Sequence, residues 1–285
     1  MSSPDWCDVR TLSSLPEMNA WLSGARESGA RIGLVPTMGF LHRGHSGLMD
    51  LIRPRCDRLV VSVFVNPLQF GPSEDLARYP RDPEGDAALC ERHGVDVVFS
   101  PEAFYPTGFS TAVSVGGVSD RLEGRSRPGH FEGVATVCAR LFGVVGAEIA
   151  AFGEKDWQQL AVIRRMVADL ALPVEIVAGA LVRDEDGVAL SSRNAYLTAP
   201  ERVRARTLYR ALSASGKAFR AGERAPSALV AVGLTVLEAD SVDYFEVVDG
   251  QTLAPVVHAA PTCRVLVAAK IGGTRLIDNL ALGAG

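Results

Sequence analysis

The stretch at residues 35–45, which reads V-P-T-M-G-F-L-H-R-G-H, constrains the fold of this chain more than any other stretch. The apolar run at 32–35 leads into it and is typical of a buried strand. Beyond a glycine turn, apolar residues recur at helical spacing over 48–52. The pattern therefore places two histidines, His42 and His45, where a first strand is followed by a first helix.

This kind of junction is a ligand site in open α/β sheets, because ligands bind beyond the carboxyl ends of the strands. A helix N-terminus offers N–H groups and a partial positive charge to a phosphate. Gly39 and Gly44 allow the backbone to approach that phosphate closely, and both imidazoles can donate to phosphoryl oxygens. The H-x-G-H tetrapeptide is nevertheless short, so a turn with two solvated histidines remains an alternative.

Composition limits the class of protein. With 285 residues, 47% of them hydrophobic and 22% charged, the chain suits one large or two ordinary globular domains. The net charge of −4 argues against a broad nucleic-acid surface. No apolar run could span a bilayer, and the N-terminus, with Asp5 and Asp8, lacks the apolar core of a signal peptide. The five cysteines are scattered without zinc spacing, so we expect reduced thiols, a cytoplasmic protein and no metal site.

Strand and helix patterns alternate over the first 180 residues, which predicts a doubly wound parallel sheet in an α/β domain at 1–181. The remainder, 182–285, predicts a small α+β domain. The predicted helices lie at about 18–28, 44–52, 82–94, 132–145, 157–170, 199–222 (with one break) and 225–239. The predicted strands lie at 32–35, 59–65, 95–100, 148–152, 174–177, 242–248 and 263–269, with weaker strand character at 111–115 inside a loop-rich segment.

Polar residues follow further strands of the predicted sheet. Asn66 and Gln69 follow the second strand, and Lys155 and Asp156 lie between a strand and a helix, so they are candidates for the same crevice. Simple Asn-Pro turn chemistry and helix capping by the aspartate remain alternative explanations. The tripeptide Ser191-Ser192-Arg193 offers several donors to a polyphosphate, although a helix-entry serine beside a surface arginine explains it equally well.

Taken together, these stretches resemble the pantothenate synthetase (pantoate–β-alanine ligase) family over nearly the whole chain. The motifs that carry the resemblance are V-P-T-M-G-F-L-H-R-G-H at 35–45, F-V-N-P-L-Q-F-G at 64–71, R-P-G-H-F-E-G-V at 127–134, G-E-K-D-W-Q-Q at 153–159, L-S-S-R-N at 190–194 and G-G-T-R-L-I-D-N at 272–279. The resemblance implies a Rossmann-like fold of the nucleotidyltransferase type. It also implies ATP-dependent joining of pantoate and β-alanine through a pantoyl adenylate, with Mg²⁺ carried on the ATP phosphates and a homodimer in the cytoplasm.

The resemblance assigns roles position by position. It implies catalytic roles for His42, His45 and Lys155. The implied ATP-binding residues are Pro36, Met38, Gly39, His42, His45, Gly153, Lys155, Asp156, Val182, Leu190, Ser191, Ser192 and Arg193. The implied pantoate-binding residues are Met38, Asn66, Gln69, Arg127, His130 and Gln159. No metal ligand is implied.

Four positions depart from the family pattern. Within H-x-G-H, Arg43 stands where the family often has Glu. Leu190 replaces the usual Met, and Trp157 replaces the usual Tyr. Glu132 stands where a basic residue is frequent. Two other functions fit parts of the pattern. One is a different H-x-G-H nucleotidyltransferase, against which Gln69 and Gln159 argue. The other is a non-catalytic nucleotide- or tRNA-binding module, against which the acidic balance argues.

Overall fold

The computed structural model describes residues 9–72 and 74–283; Asp5, Cys7 and Asp8 lie outside these ranges. The chain divides into two compact units. The first, here the N-terminal unit, contains the chain up to Ser114 with Gly129–Glu154 and Ile163–Ala180. The second, here the C-terminal unit, contains Val115–Pro128, Lys155–Val162 and the chain from Leu181 onward. Both units are discontinuous in sequence, and the single domain boundary after residue 181 remains a prediction.

A six-stranded sheet forms the N-terminal unit and confirms the α/β prediction. Its strands, in chain order, are β1 Arg10–Leu12, β2 Ile32–Thr37, β3 Arg58–Val63, β4 Val97–Phe99, β5 Ile149–Gly153 and β6 Glu175–Gly179. They lie in the order β1-β4-β3-β2-β5-β6, and all neighbouring pairs are parallel. The chain winds one way from β2 to β4 and the other way from β5 to β6, so the topological switch lies between β2 and β5.

Local sequence signals explain the helices in the first 170 residues, of which α4 and the start of α6 belong to the C-terminal unit. The helices along this part of the chain are α1 Leu15–Glu27, α2 Arg43–Ile52, α3 Pro83–Arg92, α4 Glu123–Ser126, α5 His130–Val145 and α6 Trp157–Asp169. Ser14 and Glu17 form a capping box at the start of α1, and the Asp82 side chain caps α3 by accepting from the N–H of Gly85 at 3.0 Å. Buried aliphatic residues of α2, β2, β3 and β5 form one core cluster, which explains the continuous apolar runs of the strands.

The C-terminal unit is a three-stranded antiparallel sheet with helices, as the α+β prediction requires. From Leu181 onward its helices and strands are α7 Ala199–Arg220, α8 Pro226–Leu234, β7 Ser241–Asp249, β8 Cys263–Ile271 and β9 Thr274–Ala281, in the sheet order β7-β8-β9. Strand β8 is buried on both faces. Val265 and Val267 join the cluster with α7 and α8, whereas Leu266 packs with Leu122 and Trp157 on the other face.

Two local predictions were wrong, and two strands were not predicted. The segment at 111–115 is not a strand; the N–H of Val113 donates instead to the hydroxyl of Thr136 at 2.9 Å, so its hydrogen bond goes to a helix side chain. Helix α7 runs without the predicted break, because its buried stripe continues through the sequence. Strands β1 and β9 were not predicted. Among the described residues, no helix combines the length and apolarity needed to cross a membrane.

Candidate active site

His42 and His45 cap helix α2 with each other. His42 is the N-cap residue, and its Nδ1 accepts from the N–H of Gly44 at 3.1 Å. The Nδ1 of His45 accepts from the N–H of His42 at 3.2 Å. The two rings lie 4.1 Å apart between centroids. The spacing H-x-G-H is therefore the spacing of a capping box, with an accepting side chain at the N-cap and another at N3. Here the N-cap side chain accepts from the first turn at Gly44, and the N3 side chain accepts from the N-cap N–H.

This capping fixes the chemistry of both imidazoles. A neutral imidazole has one N–H donor and one acceptor nitrogen. Because both Nδ1 atoms accept backbone N–H groups, the neutral rings carry their protons on Nε2. The two histidines thus present N–H donors at the N-terminus of a helix that contains no acidic residue in its first turn. Arg43, between them, is exposed to solvent.

The turn that leads from β2 to these histidines is held by a buried carboxylate that sequence reasoning missed. Asp86 of α3 is 4% exposed and accepts from the N–H groups of Phe40 at 2.9 Å and Leu41 at 2.6 Å. Burial raises the pKa of Asp86, and these two N–H groups oppose the rise. Gly39 has a φ of +86°, and a Cβ there would lie 2.9 Å from Val63 Cγ1 and 3.0 Å from the Asp86 carboxylate, so both the backbone conformation and the lack of space favour glycine.

Strand β2 ends where the sheet opens. It pairs with β5 only at Gly33 and Leu34, so Pro36, which has no N–H, lies beyond the last hydrogen-bonded pair with that strand. The topological switch point lies at this end of β2, which is the place that the α/β rule gives to a ligand.

A cluster of polar side chains surrounds Gln69 in the same unit. The Nε2 of Gln69 lies 3.1 Å from the sulfur of Met38, and its Oε1 accepts from Asn66 at 3.0 Å. The Nδ1 of His130, at the start of α5, donates to the backbone carbonyl of Gln69 at 2.9 Å. All four predicted pantoate-binding residues of the N-terminal unit therefore lie together.

Asn66 uses its whole hydrogen-bonding capacity inside the protein. Besides Gln69, its amide donates to the carbonyl of Gly133 at 3.1 Å, and its oxygen accepts from Tyr105 at 2.9 Å and the N–H of Leu68 at 3.3 Å. It is 1% exposed. Its amide group is therefore placed to orient Gln69. Gly133 allows this close approach because a Cβ there would collide with the carbonyl of Leu68.

In the C-terminal unit, Lys155 lies in the short 3-10 turn between β5 and α6. Its Nζ is 3.5 Å from Asp156 Oδ1, and about a fifth of its side chain is exposed. Trp157 anchors the start of the helix, since its indole N–H donates to the carbonyl of Gly250 at 2.8 Å. Trp157, which stands where the family usually has Tyr, thus supplies an indole N–H as its hydrogen-bond donor.

Ser191 and Ser192 follow a small hairpin in the same unit. The N–H of Leu190 donates to the carbonyl of Val182 at 3.0 Å, and Arg183 pairs with Ala189 across the hairpin. Ser191 then caps a 3-10 turn, Ser192–Tyr196, by accepting from the N–H of Arg193 at 3.3 Å. The predicted phosphate-binding residues thus begin where the hairpin ends.

Arg127 belongs to a segment that is packed onto the C-terminal sheet by a second missed carboxylate. The Glu123 carboxylate accepts hydrogen bonds from the Arg275 guanidinium at 2.6 and 2.8 Å and from the hydroxyl of Tyr244 at 2.8 Å. Arg127 lies 3.7 Å from the same carboxylate. Burial raises the pKa of Glu123, but Arg275, Tyr244 and Arg127 outweigh burial and hold its pKa below the ordinary value. The side chain of Gln158 adds three hydrogen bonds to the same segment.

The predicted site residues therefore form two groups. The N-terminal unit contains Pro36, Met38, Gly39, His42, His45, Asn66, Gln69, His130 and Gly153. The C-terminal unit contains Arg127, Lys155, Asp156, Gln159, Val182, Leu190, Ser191, Ser192 and Arg193. The missed residues, Asp86 and Glu123 above all, are buried acids without a motif of their own, so only their burial identifies them.

The described residues contain no cluster of metal ligands, and their cysteines are not activated for thiol chemistry. Within 9–72 and 74–283, no group of three or more His, Cys, Asp or Glu side chains is placed to hold a metal ion. Cys56, Cys90, Cys138 and Cys263 are free thiols. Burial raises the pKa of both Cys90 and Cys138 to about 12, so these two remain protonated thiols that pack as small apolar groups.

Known proteins resemble this chain over almost its full length. A family model described as pantoate-beta-alanine ligase matches residues 10–281. The pantothenate synthetase of Rhizorhabdus wittichii is 50% identical over 278 residues, which cover 96% of this chain and 99% of the relative. That of Geobacter sulfurreducens is 50% identical over 280 residues, with the same coverage.

Solved structures show the same similarity. The pantothenate synthetase of Thermus thermophilus superposes with a TM-score of 0.91 at 48% identity, covering 96% of this chain and 99% of that one. The pantoate-beta-alanine ligase of Francisella tularensis, solved in complex with beta-gamma ATP and beta-alanine, superposes with a TM-score of 0.82 at 28% identity, covering 97% and 99%.

Proposed function

The chain belongs to the pantoate-beta-alanine ligase family, and from this premise we propose that it joins pantoate to β-alanine with consumption of ATP. In the first step, a carboxylate oxygen of pantoate attacks the α-phosphorus of ATP, and pyrophosphate leaves as the bond to its bridging oxygen breaks. In the second step, the amine of β-alanine attacks the acyl carbonyl and loses a proton, and AMP leaves. Neither step needs an enzyme nucleophile, so positioning and charge stabilisation supply the catalysis.

The reciprocal capping of His42 and His45 carries this proposal. Their Nδ1 atoms are committed to backbone N–H groups, so their Nε2–H groups donate to the phosphate oxygens on which charge develops. Donors that are already oriented cost no reorganisation when that charge appears. The helix cap therefore supports the proposed roles of the two histidines.

The remaining roles follow the family pattern. Lys155 supplies a cation to the phosphates, and Ser191, Ser192 and Arg193 bind the β- and γ-phosphates. By the family pattern, Gln69, which Asn66 orients, and Gln159 contact the hydroxyl and carboxylate of pantoate. Met38, Arg127 and His130 are further pantoate contacts in that pattern. The ATP contacts also include Pro36, Gly39, Gly153, Asp156, Val182 and Leu190. Mg²⁺ binds together with ATP and is coordinated by its phosphates, as is usual for nucleotide substrates.

A pyrophosphate-release assay tests the function. With ATP and pantoate alone we expect one equivalent of pyrophosphate per enzyme and no free AMP. Addition of β-alanine should start continuous release of both pyrophosphate and AMP. Pyrophosphate release that needs no organic acid would refute the ligase assignment and favour another nucleotidyltransferase. Binding of ATP without any turnover would favour a non-catalytic module.

Location and assembly belong to the same proposal. We place the enzyme in the cytoplasm, where its substrates and reduced thiols would be found, and expect a homodimer from the family resemblance. Sedimentation equilibrium would test the dimer: a mass near 30.3 kDa at micromolar protein would contradict it.

A further inference from the structure

The motif G-G-T-R-L-I-D-N at 272–279 contains a two-glycine turn followed by most of strand β9, and its last two residues, Asp278 and Asn279, are buried. Asp278 is 4% exposed and Asn279 is 3% exposed. Buried polar groups are costly unless they are hydrogen-bonded. Successive residues of a strand point to opposite faces of the sheet, so these two neighbours find their partners on different sides of β9.

Asn279 binds the segment that carries Lys155. Its Nδ2 donates to the backbone carbonyl of Lys155 at 2.9 Å. Its Oδ1 accepts from the guanidinium of Arg264, and that guanidinium lies 3.5 Å from the centroid of the Trp157 ring. The amide of Asn279 therefore contacts the backbone at 155 directly and the residue at 157 through a stacked arginine.

Asp278 binds the segment that leads to Ser191. Its two carboxylate oxygens accept from the two terminal nitrogens of Arg183 at 2.6 and 2.9 Å, a bidentate pair that fixes orientation as well as distance. Arg183 also donates to the carbonyl of Gly187 at 3.1 Å and lies 3.8 Å from the centroid of the Tyr209 ring. Arg183 stands in the hairpin that ends at Leu190, so this pair fixes the hairpin immediately before the phosphate-binding serines.

The electrostatics agree with this geometry. Burial raises the pKa of Asp278, and the opposing influences that lower it include the charges of both Arg183 and Lys155. One buried carboxylate thus interacts electrostatically with a cation from each segment.

We propose that Asp278 and Asn279 are positioning residues, which fix the backbone at Lys155 and the hairpin at 182–190 to two faces of one strand so that their donors meet a polyphosphate at a set spacing. The inference rests on the proposed function, because it takes Lys155 and Ser191–Arg193 as phosphate-binding. Neither Asp278 nor Asn279 contacts the nucleotide in this account. A misplacement of about 1 Å at a charged donor is sufficient to slow such chemistry strongly.

Asn279→Asp is the sharpest test, because it keeps the shape and the acceptor for Arg264 but replaces the donor to the Lys155 carbonyl with an oxygen. Pyrophosphate release in a single turnover at saturating ATP and pantoate should fall about tenfold, a typical coupling between contacting residues. The KM for pantoate should change less than about twofold. In a Lys155→Ala background the same substitution should change the rate less than about twofold, because the group that it positions is gone.

The matched control is Asn19→Asp, the same chemical change at an exposed position of α1, which should leave the rate unchanged. If the buried carboxylate prevents folding, Asn279→Ala replaces it in the same double-mutant cycle. An equal rate loss with and without Lys155 would show a purely structural role and overturn the proposal, as would an unchanged rate where Lys155 is present. Wild-type protein that releases no pyrophosphate with pantoate would instead refute the proposed function itself.

Discussion

Phe40 and Leu122 are bulky residues at positive φ, and the two regions that contain them hold them by different means. Phe40, in the N-terminal turn, has a φ of +54°, and its N–H donates to the Asp86 carboxylate. Leu122, in the C-terminal unit, has φ +51° and ψ −118°, and its fully buried side chain packs into a core cluster. Such conformations cost about 1–3 kcal/mol each and persist only where their surroundings enforce them.

The buried carboxylates of these two regions also differ, in the kind of partner that each one binds. Asp86 is bonded to backbone N–H groups, and burial raises its pKa. Glu123 is bonded to Arg275 and Tyr244, and these partners lower its pKa against the effect of burial. The N-terminal turn is thus held by a carboxylate that accepts backbone N–H groups, whereas the C-terminal segment is held by a carboxylate in an ion-pair network. The two regions should therefore respond differently to substitution and to pH.

Lys155→Ala should have the largest effect. Removal of this cation should lower kcat for pyrophosphate release about 10²–10³-fold, equivalent to about 3–4 kcal/mol of transition-state stabilisation. The melting temperature should stay near that of the wild type, since the ion pair of this side chain with Asp156 is a long one, at 3.5 Å. Steady-state kinetics and thermal denaturation measure both quantities. Lys217→Ala, an exposed change on α7, is the control, and an unchanged kcat for Lys155→Ala would exclude the assigned role.

Glu123→Gln should follow, with a loss of about 3 kcal/mol in the free energy of unfolding, because it leaves Arg275 partly buried without its main counter-charge. Urea denaturation measures this loss. Asp243→Asn removes the more exposed partner of the same arginine and should cost less than about 1 kcal/mol. Equal losses in the free energy of unfolding for the two variants would contradict the larger contribution assigned to the buried carboxylate of Glu123.

Asp86→Asn should cost less than Glu123→Gln, about 1–3 kcal/mol. The amide oxygen can still accept from one backbone N–H, but its NH₂ group faces the other donor. Asp82→Asn, at the N-cap of the same helix, keeps a good capping oxygen and should change stability by less than about 0.5 kcal/mol. If Asp86→Asn destabilised the protein more than Glu123→Gln in urea denaturation, the ranking of the two regions would be reversed.

Gln69→Ala tests the substrate pocket of the N-terminal unit. It should raise the KM for pantoate about tenfold, the scale of one hydrogen bond to a charged group, with a smaller change in the KM for ATP. Initial rates at varied pantoate and varied ATP separate the two constants, and Gln251→Ala on an exposed turn is the control. A larger change for ATP would place Gln69 in the nucleotide pocket instead.

The pH dependence should be the smallest effect, about 1 kcal/mol or less for each group. The pKa of Glu123 is lowered on folding, so its stabilisation is present above the ordinary value of 4.5 and declines as the pH falls below it. The wild-type advantage over Glu123→Gln should therefore shrink from pH 6 to pH 4.

The pKa of Asp86 is raised from 3.8, so the folded state binds its proton more tightly, and the group's contribution to stability declines as the pH rises through the folded pKa. The wild-type advantage over Asp86→Asn should therefore grow from pH 6 to pH 4. Urea denaturation at pH 6, 5 and 4 measures both trends, and slopes of the same sign would contradict the contrast between the two carboxylates.

The architecture was accessible from sequence because it depends on local patterns. Apolar runs identified β2, β3 and β5 since both faces of a parallel sheet are buried, and the capping residues Ser14 and Asp82 stand beside the helices they begin. The short strand β1 was missed because three residues carry too little periodicity. Strand β9 was missed because it contains buried polar residues, among them Asp278 and Asn279, which break the apolar pattern of a buried strand.

The candidate site divides in the same way. The sequence by itself determined the order of the motifs and the residue types that meet a phosphate, because His42, His45, Lys155 and the serines stand in short contiguous stretches. Only the tertiary structure decided which buried groups hold the turn before the histidines and the segment that carries Arg127. Asp86 is 45 residues from Leu41, and Glu123 is 152 residues from Arg275, and no local pattern reports contacts across such separations. Burial turns these ordinary acids into positioning groups, and burial is a property of the folded chain.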